Sequence, residues 1–121
     1  MAKILIIDDE VNMIKSIRRI LEMEDYDVIE ASNGADGMKV MHQNAVDLVI
    51  TDIYMPEQDG IITIKEIRKH FPRVKIIAIS GGDKLGSVTS LDAAEIIGAH
   101  SVFVKPLEPD ELVQAVRDLL W

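Results

Sequence analysis

The sequence predicts a single α/β domain, a doubly wound (βα)5 fold built on a five-stranded parallel sheet. Three observations carry this expectation. Short apolar runs rich in β-branched residues alternate with amphipathic stretches along all 121 residues. Most of the runs lack polar alternation, as strands covered on both faces do. Turn and cap residues punctuate the boundaries, and no linker, repeat or low-complexity segment interrupts the pattern.

Taken in order, the first run is Ile4-Leu5-Ile6-Ile7, followed by Ile14, Ile17, Ile20 and Leu21 at helical spacing. The second is Val28-Ile29, followed by a weaker helix carrying Met38 and Met41. Asn33 is placed to cap that helix, whereas Gly37 counts against it by about 1 kcal/mol relative to Ala. Leu48-Val49-Ile50 is the third run, and Ile61, Ile64 and Ile67 mark the helix after it, which Pro72 stops. The fourth run, Ile76-Ile77-Ala78-Ile79, precedes a weaker helix with Leu91, Ala94 and Ile97. The fifth, Val102-Phe103-Val104, leads into Leu112, Val116, Leu119 and Leu120. Pro109 suits the first turn of this last helix, with Asp110 and Glu111 beside the positive end of its dipole. Right-handed crossovers make the sheet parallel, and the strand order expected for such a fold is 2-1-3-4-5.

The composition narrows the chemistry. With 48% hydrophobic and 28% charged residues, 7 Gly and 4 Pro, the chain has the balance of a folded domain. No apolar stretch approaches the ~20 residues of a membrane span, and the start MAKILIIDDE turns acidic too soon for a signal peptide. The expectation is a soluble cytoplasmic protein with no membrane partner. The absence of cysteine removes disulfides, thiolate metal sites and Cys nucleophiles. A net charge of -8 disfavours direct nucleic-acid binding, which draws its affinity from Lys and Arg on phosphates. Proteins or a cation are the better partners.

In sheets of this kind ligands bind beyond the carboxyl ends of the strands, where strand order reverses. The first strand ends in Asp8-Asp9-Glu10, the third in Asp52, the fourth in Ser80-Gly81-Gly82 and the fifth in Lys105-Pro106. The second ends blandly in Glu30-Ala31-Ser32. Taken singly each is ordinary. Asp52 closes the run in DLVITDIYMPEQDG, where it reads either as a strand meeting water or as a placed nucleophile or metal ligand. Ser80, Gly81 and Gly82 read as a turn, and Lys105-Pro106 as a strand ending.

Their joint placement is what chance explains poorly, since four of five strands contribute to one edge. Asp8, Asp9 and Asp52 meeting there would resist joint ionisation without something positive beside them, so a cation belongs to the site. Hard oxygen donors with no His or Cys nearby suit Mg²⁺. Lys105 adds a compact charge able to pair with Asp52 or with a phosphate.

This set resembles the receiver domain of bacterial two-component response regulators, of the single-domain chemotaxis type. The resemblance covers essentially the whole chain. It rests on Asp8-Asp9, on Asp52 followed by Met55-Pro56 and Asp59-Gly60, on Ser80, and on Lys105-Pro106. It implies a flavodoxin-like fold with Asp52 as phospho-acceptor. Mg²⁺ would be held by Asp9, Asp52 and the backbone carbonyl of Tyr54, with Asp8 acting through water. Lys105 would contact the phosphoryl group, Ser80 would be the switch hydroxyl, and the Lys105-Pro106 peptide would be cis. The donor would be a phosphohistidine on a histidine kinase or phosphotransfer protein, and the signal would pass to a downstream protein target. Such a protein is a switch rather than an enzyme, although it assists its own phosphorylation and dephosphorylation.

The sequence departs from the family at three places. The position three before the lysine, often Tyr or Phe, is Val102, and Phe103 should point to the opposite face. An aromatic-rotamer switch therefore does not transfer. The stretch after Ser80 carries Gly81, Gly82 and Gly86 and reads either as a mobile loop taking the ring's place or as an ordinary flexible connection. Tyr54 and Gly82 flank the expected path of attacking water, one bulky and one empty. His42, His70 and His100 are assigned surface positions, and Trp121 an apolar helix end.

Rival readings on the same fold fit less well. A flavin carrier wants amides and hydroxyls rather than acids at the switch point. A phosphatase with an Asp nucleophile usually has a second acid two residues on, where Tyr54 stands. A scaffold that never takes phosphate would not need the full set of Asp8, Asp9, Asp52, Ser80 and Lys105. The chain ends at Trp121 just after the last helix, so one receiver domain over 1–121 without an output domain is expected; a receiver excised from a longer regulator or hybrid kinase would read the same.

Overall fold

The computed structural model describes residues 2–53, 60–80 and 98–120. Five strands and four helices lie among them: β1 (Lys3–Ile7), α1 (Val11–Glu22), β2 (Asp27–Ala31), α2 (Gly34–Gln43), β3 (Leu48–Asp52), α3 (Gly60–His70), β4 (Lys75–Ser80), β5 (Ser101–Val104) and α4 (Pro109–Leu120). The expected helix around Leu91, Ala94 and Ile97 lies outside the described residues, as do Tyr54, Met55, Pro56, Asp59, Gly81, Gly82, Gly86 and Trp121. The sheet is parallel throughout in the order β2-β1-β3-β4-β5, as expected from the topology.

Period-two alternation divides the strand residues between two cores. Leu5, Ile7, Val49, Ile76 and Ala78 point to one face and pack with Met38 and Met41 of α2 and Ile64 and Ile67 of α3. Ile4, Ile6, Leu48, Ile50, Ile77 and Ile79 point to the other, against Ile14, Ile17 and Leu21 of α1 and Leu112 and Val116 of α4. The central strands are thus buried on both sides, which is why their sequences carry no alternation. Val102 joins the first core and Phe103 the second, so the two do occupy opposite faces of β5.

Local signals explain the helix ends. Asn33 accepts the Asp36 amide at 2.8 Å and caps α2. Pro109 opens α4, with Asp110 and Glu111 in its first turn. Gly37 acquires a different meaning from its propensity cost. A Cβ there would lie 2.5 Å from Cδ1 of Ile7, so its absence lets α2 sit close against β1. Close packing overrides helix propensity at this position.

Candidate functional site

Parallel register brings the carboxyl ends of four strands level. Ile7 pairs with Ala31 on one side and Thr51 on the other, Asp52 with Ile79, and Ser80 with Val104. Asp8, the residue after β1, therefore comes beside Asp52, the last of β3, with Lys105 just beyond β5.

Asp8 is held by both its backbone and its side chain. Its amide donates to the Ala31 carbonyl at 3.2 Å, and its Oδ1 accepts the Glu10 amide at 2.9 Å. That second bond turns the chain into α1, whose own N-cap residue, Glu10, makes no side-chain cap. Asp8 and Asp52 are buried, at 1% and 6% exposure, whereas Asp9 is exposed. One carboxylate oxygen from each of the three acids falls within a 4.8 Å cluster.

Lys105 crosses to this cluster from the far side. Its Nζ donates to Asp52 Oδ2 at 3.1 Å and stands 3.6 Å from Asp8 Oδ2. Its amide donates to the Ser80 carbonyl at 2.8 Å, which ties the end of β5 to the end of β4, and the Lys105-Pro106 peptide is cis as expected. Burial pulls the Lys105 ammonium down, but the hydrogen bond and charge of Asp52, then the charges of Asp8 and Glu10, outweigh it and leave the pKa raised.

One ammonium does not balance three carboxylates. Asp8 is pushed up to about 6, chiefly by burial and further by the charges of Asp52 and Asp9; the Glu10 amide and Lys105 oppose the shift. Asp8 Oδ2 is buried with no hydrogen-bond partner among the described residues, the lysine at 3.6 Å being an ion pair beyond good hydrogen-bond length. A buried carboxylate oxygen left without a hydrogen bond in a three-acid cluster fits a hard divalent cation such as Mg²⁺.

Ser80 is fully buried at the end of β4. Register sets it one position beyond the residue opposite Asp52, on the neighbouring strand. Tyr54, the last expected member of the site, lies outside the described residues.

Three residues make contacts here that the sequence did not assign to them. Thr51 is fully buried and its hydroxyl donates to the Asp52 carbonyl at 3.1 Å. A lone hydroxyl in the apolar run before the acid was the available signal. Gly60 begins α3, and a Cβ there would lie 2.2 Å from the Asp52 carbonyl oxygen; its amide donates to the Ile53 carbonyl at 2.9 Å. His100 is exposed, as expected, yet its Nδ1 accepts the Ile76 amide at 3.1 Å beside the start of β4.

Comparison with known proteins agrees with this geometry. The family model for the response regulator receiver domain matches residues 4–117. The chain is 36% identical over 119 residues to the transcriptional regulatory protein GlrR of Escherichia coli, covering 98% of this chain and 26% of that protein. A response regulator receiver domain protein from Clostridium thermocellum superposes with a TM-score of 0.91 at 31% identity, over 99% of this chain and 94% of that one. The response regulator TrrA of Thermotoga maritima, solved in complex with Mg²⁺-BeF, superposes with a TM-score of 0.85 at 35% identity, over 99% and 100%. The chain thus spans about a quarter of GlrR but the whole of the TrrA chain. Matched in sequence over nearly its full length and in fold to its outermost strands, the chain belongs to the response regulator receiver domain family, the phosphorylation-activated switches of two-component systems.

Proposed function

We propose that Asp52 accepts a phosphoryl group from a phosphohistidine on a histidine kinase or phosphotransfer protein, in a site completed by Mg²⁺, and that the signal leaves by contact with a downstream protein. The observation that carries this reading is the pairing of Asp52 with Lys105 at 3.1 Å beside Asp8 Oδ2, a buried oxygen with no hydrogen-bond partner among the described residues. Asp8, Asp9, Asp52 and the Tyr54 carbonyl would hold the ion. When bound, Mg²⁺ supplies positive charge to the acids and to the oxygens of the transferring group.

The remaining chemistry belongs to the chain. An Asp52 carboxylate oxygen attacks phosphorus, the new O–P bond forms as the donor's P–N bond breaks, and the electron pair stays on the imidazole. Lys105, kept cationic by its acidic neighbours, exchanges its Asp52 oxygen for a phosphoryl oxygen. Water later attacks the same phosphorus, releasing inorganic phosphate and restoring the carboxylate.

Ser80 supplies the switch hydroxyl in this reading. Moving a two-state equilibrium from 1:99 to 99:1 takes about 5.5 kcal/mol, and a hydrogen bond to a charged group gives roughly 1.5–3. Two or three new contacts, from Ser80, Lys105 and loop amides, suffice. With Val102 where an aromatic is often found, rotation of a ring is not part of this reading. Among the described residues no helix is long and apolar enough to cross a membrane, and the reading places the reaction in the cytoplasm. The same chemistry serves a stand-alone switch and the receiver of a longer regulator or hybrid kinase.

Incubation with Mg²⁺ and a small acyl phosphate, followed by intact mass, tests the acceptor. The expected result is one added phosphoryl group, absent with Asp52→Asn and absent in EDTA. Equal addition to the variant would refute the assignment.

A further inference from the structure

Charge is unevenly placed along this acidic chain. Residues 65–75, KEIRKHFPRVK, hold five of the 13 Lys and Arg residues and one of the 21 acids, a local net charge of +4 against -12 for everything else. Most of these cations reach solvent: Lys65, Lys69 and Arg73 are exposed, while Arg68 is taken up by the Pro72 and Val74 carbonyls.

The same helix exposes an apolar side chain beside these cations. Gly60, Thr63, Ile64 and Ile67 form the buried face of α3, but Ile62 is 51% exposed. Ile62, Lys65, Glu66 and Lys69 follow at helical spacing and line a shallow hollow of about 230 Å³. An apolar floor with lysines along its rim, on a molecule otherwise acidic, selects a partner with the inverse pattern.

We propose that the solvent face of α3 is a docking surface for an acidic amphipathic helix of a partner protein. The partner helix would seat a Leu or Ile over Ile62 and set Glu or Asp against Lys65 and Lys69. Glu66, the single acid among the described residues lining the hollow, works against a bare phosphate there. The net charge of -8 works against a nucleic-acid rod or an anionic membrane, both of which the rest of the surface repels. A short helix meets the hollow while leaving those repelling surfaces apart. The contact is small and hence transient in kind. It is independent of the phosphorylation proposed above, because none of its residues belongs to the acid cluster.

The test uses the full chain, ¹⁵N-labelled, and a synthetic 20-residue helical peptide with leucines spaced three and four apart and glutamates on either side. The expected result is saturable shifts of amide resonances over residues 61–70. Affinity should fall ~10-fold or more with the double variant Lys65→Glu, Lys69→Glu, and several-fold with Ile62→Asn or between low and physiological salt. Asp52→Asn should bind as the parent does, which separates failure here from failure of the acceptor assignment. The three substituted side chains of α3 are exposed, and an unchanged melting curve verifies folding. Equal binding of a peptide with lysine in place of glutamate, shifts centred elsewhere, or indifference to the double variant would overturn the proposal. So would tighter binding to phosphatidylglycerol vesicles, or self-association in sedimentation that the double variant abolishes.

Discussion

Replacing Asp8 by Asn should stabilise the metal-free protein while weakening its hold on Mg²⁺. Asp8 is 1% exposed and its folded pKa is about 6, against 3.8 in the unfolded chain. Between those values the folded state keeps a proton that the unfolded state has lost, so stability falls as pH rises through the window. Above it the ionised group carries its full penalty; at about 1.4 kcal/mol per unit of pKa, roughly 3 kcal/mol is at stake. Asn keeps an oxygen for the Glu10 amide and turns a donor toward the remaining acids, but it gives up the attraction of Lys105 at 3.6 Å. The net gain expected at pH 8 is about 1–3 kcal/mol, falling to about a third of that at pH 4.5. Urea unfolding in EDTA at the two pH values measures it, and millimolar Mg²⁺ should narrow the difference by stabilising the parent more than the variant. A variant less stable than the parent at pH 8, or one whose advantage ignores pH, would refute the account of a carboxylate held at a cost for a cation.

If Asp52 is the acceptor proposed above, Lys105→Met should slow its phosphorylation by ~10-fold or more, read by intact mass against time, because the cation 3.1 Å from it is gone. Gly60→Ala puts a Cβ against the Asp52 backbone oxygen at 2.2 Å, and a shift of that backbone should lower stability by about 2–4 kcal/mol in urea unfolding. Gly37→Ala meets only the end of the Ile7 side chain, and helix propensity offsets about 1 kcal/mol, so its loss should be the smaller of the two. The His100 imidazole is held below its ordinary pKa by burial and by the charges of Arg68 and Lys75. Its protonation breaks the bond from the Ile76 amide, so it contributes stability that is lost as pH falls below the unfolded value of 6.5. A melting series from pH 5 to 8 on the parent and His100→Gln should show that component only in the parent.

Strand and helix identity were written locally. Ile4–Ile7, Leu48–Ile50 and Ile76–Ile79 declare buried strands because a residue sealed on both faces has no use for polar alternation. Asn33, Pro72 and Pro109 declare helix limits because capping and ring geometry act within one turn. The acids and the lysine could be gathered at one edge from sequence alone, since a parallel sheet brings every strand's carboxyl end to the same side. Contacts between distant segments were not legible in that way. Gly37 is read as a weak helix residue until Ile7 comes up against it, and Gly60 as a turn until the Asp52 carbonyl does. His100 gains its partner only when the chain before β5 comes beside the start of β4. The sequence by itself determined which groups stand at the switch edge, whereas the tertiary structure alone decided how they share charge. Burial of Asp8 and the one-sided reach of Lys105 leave an oxygen without a hydrogen bond, because desolvation depends on what packs around a group and not on its neighbours in the chain.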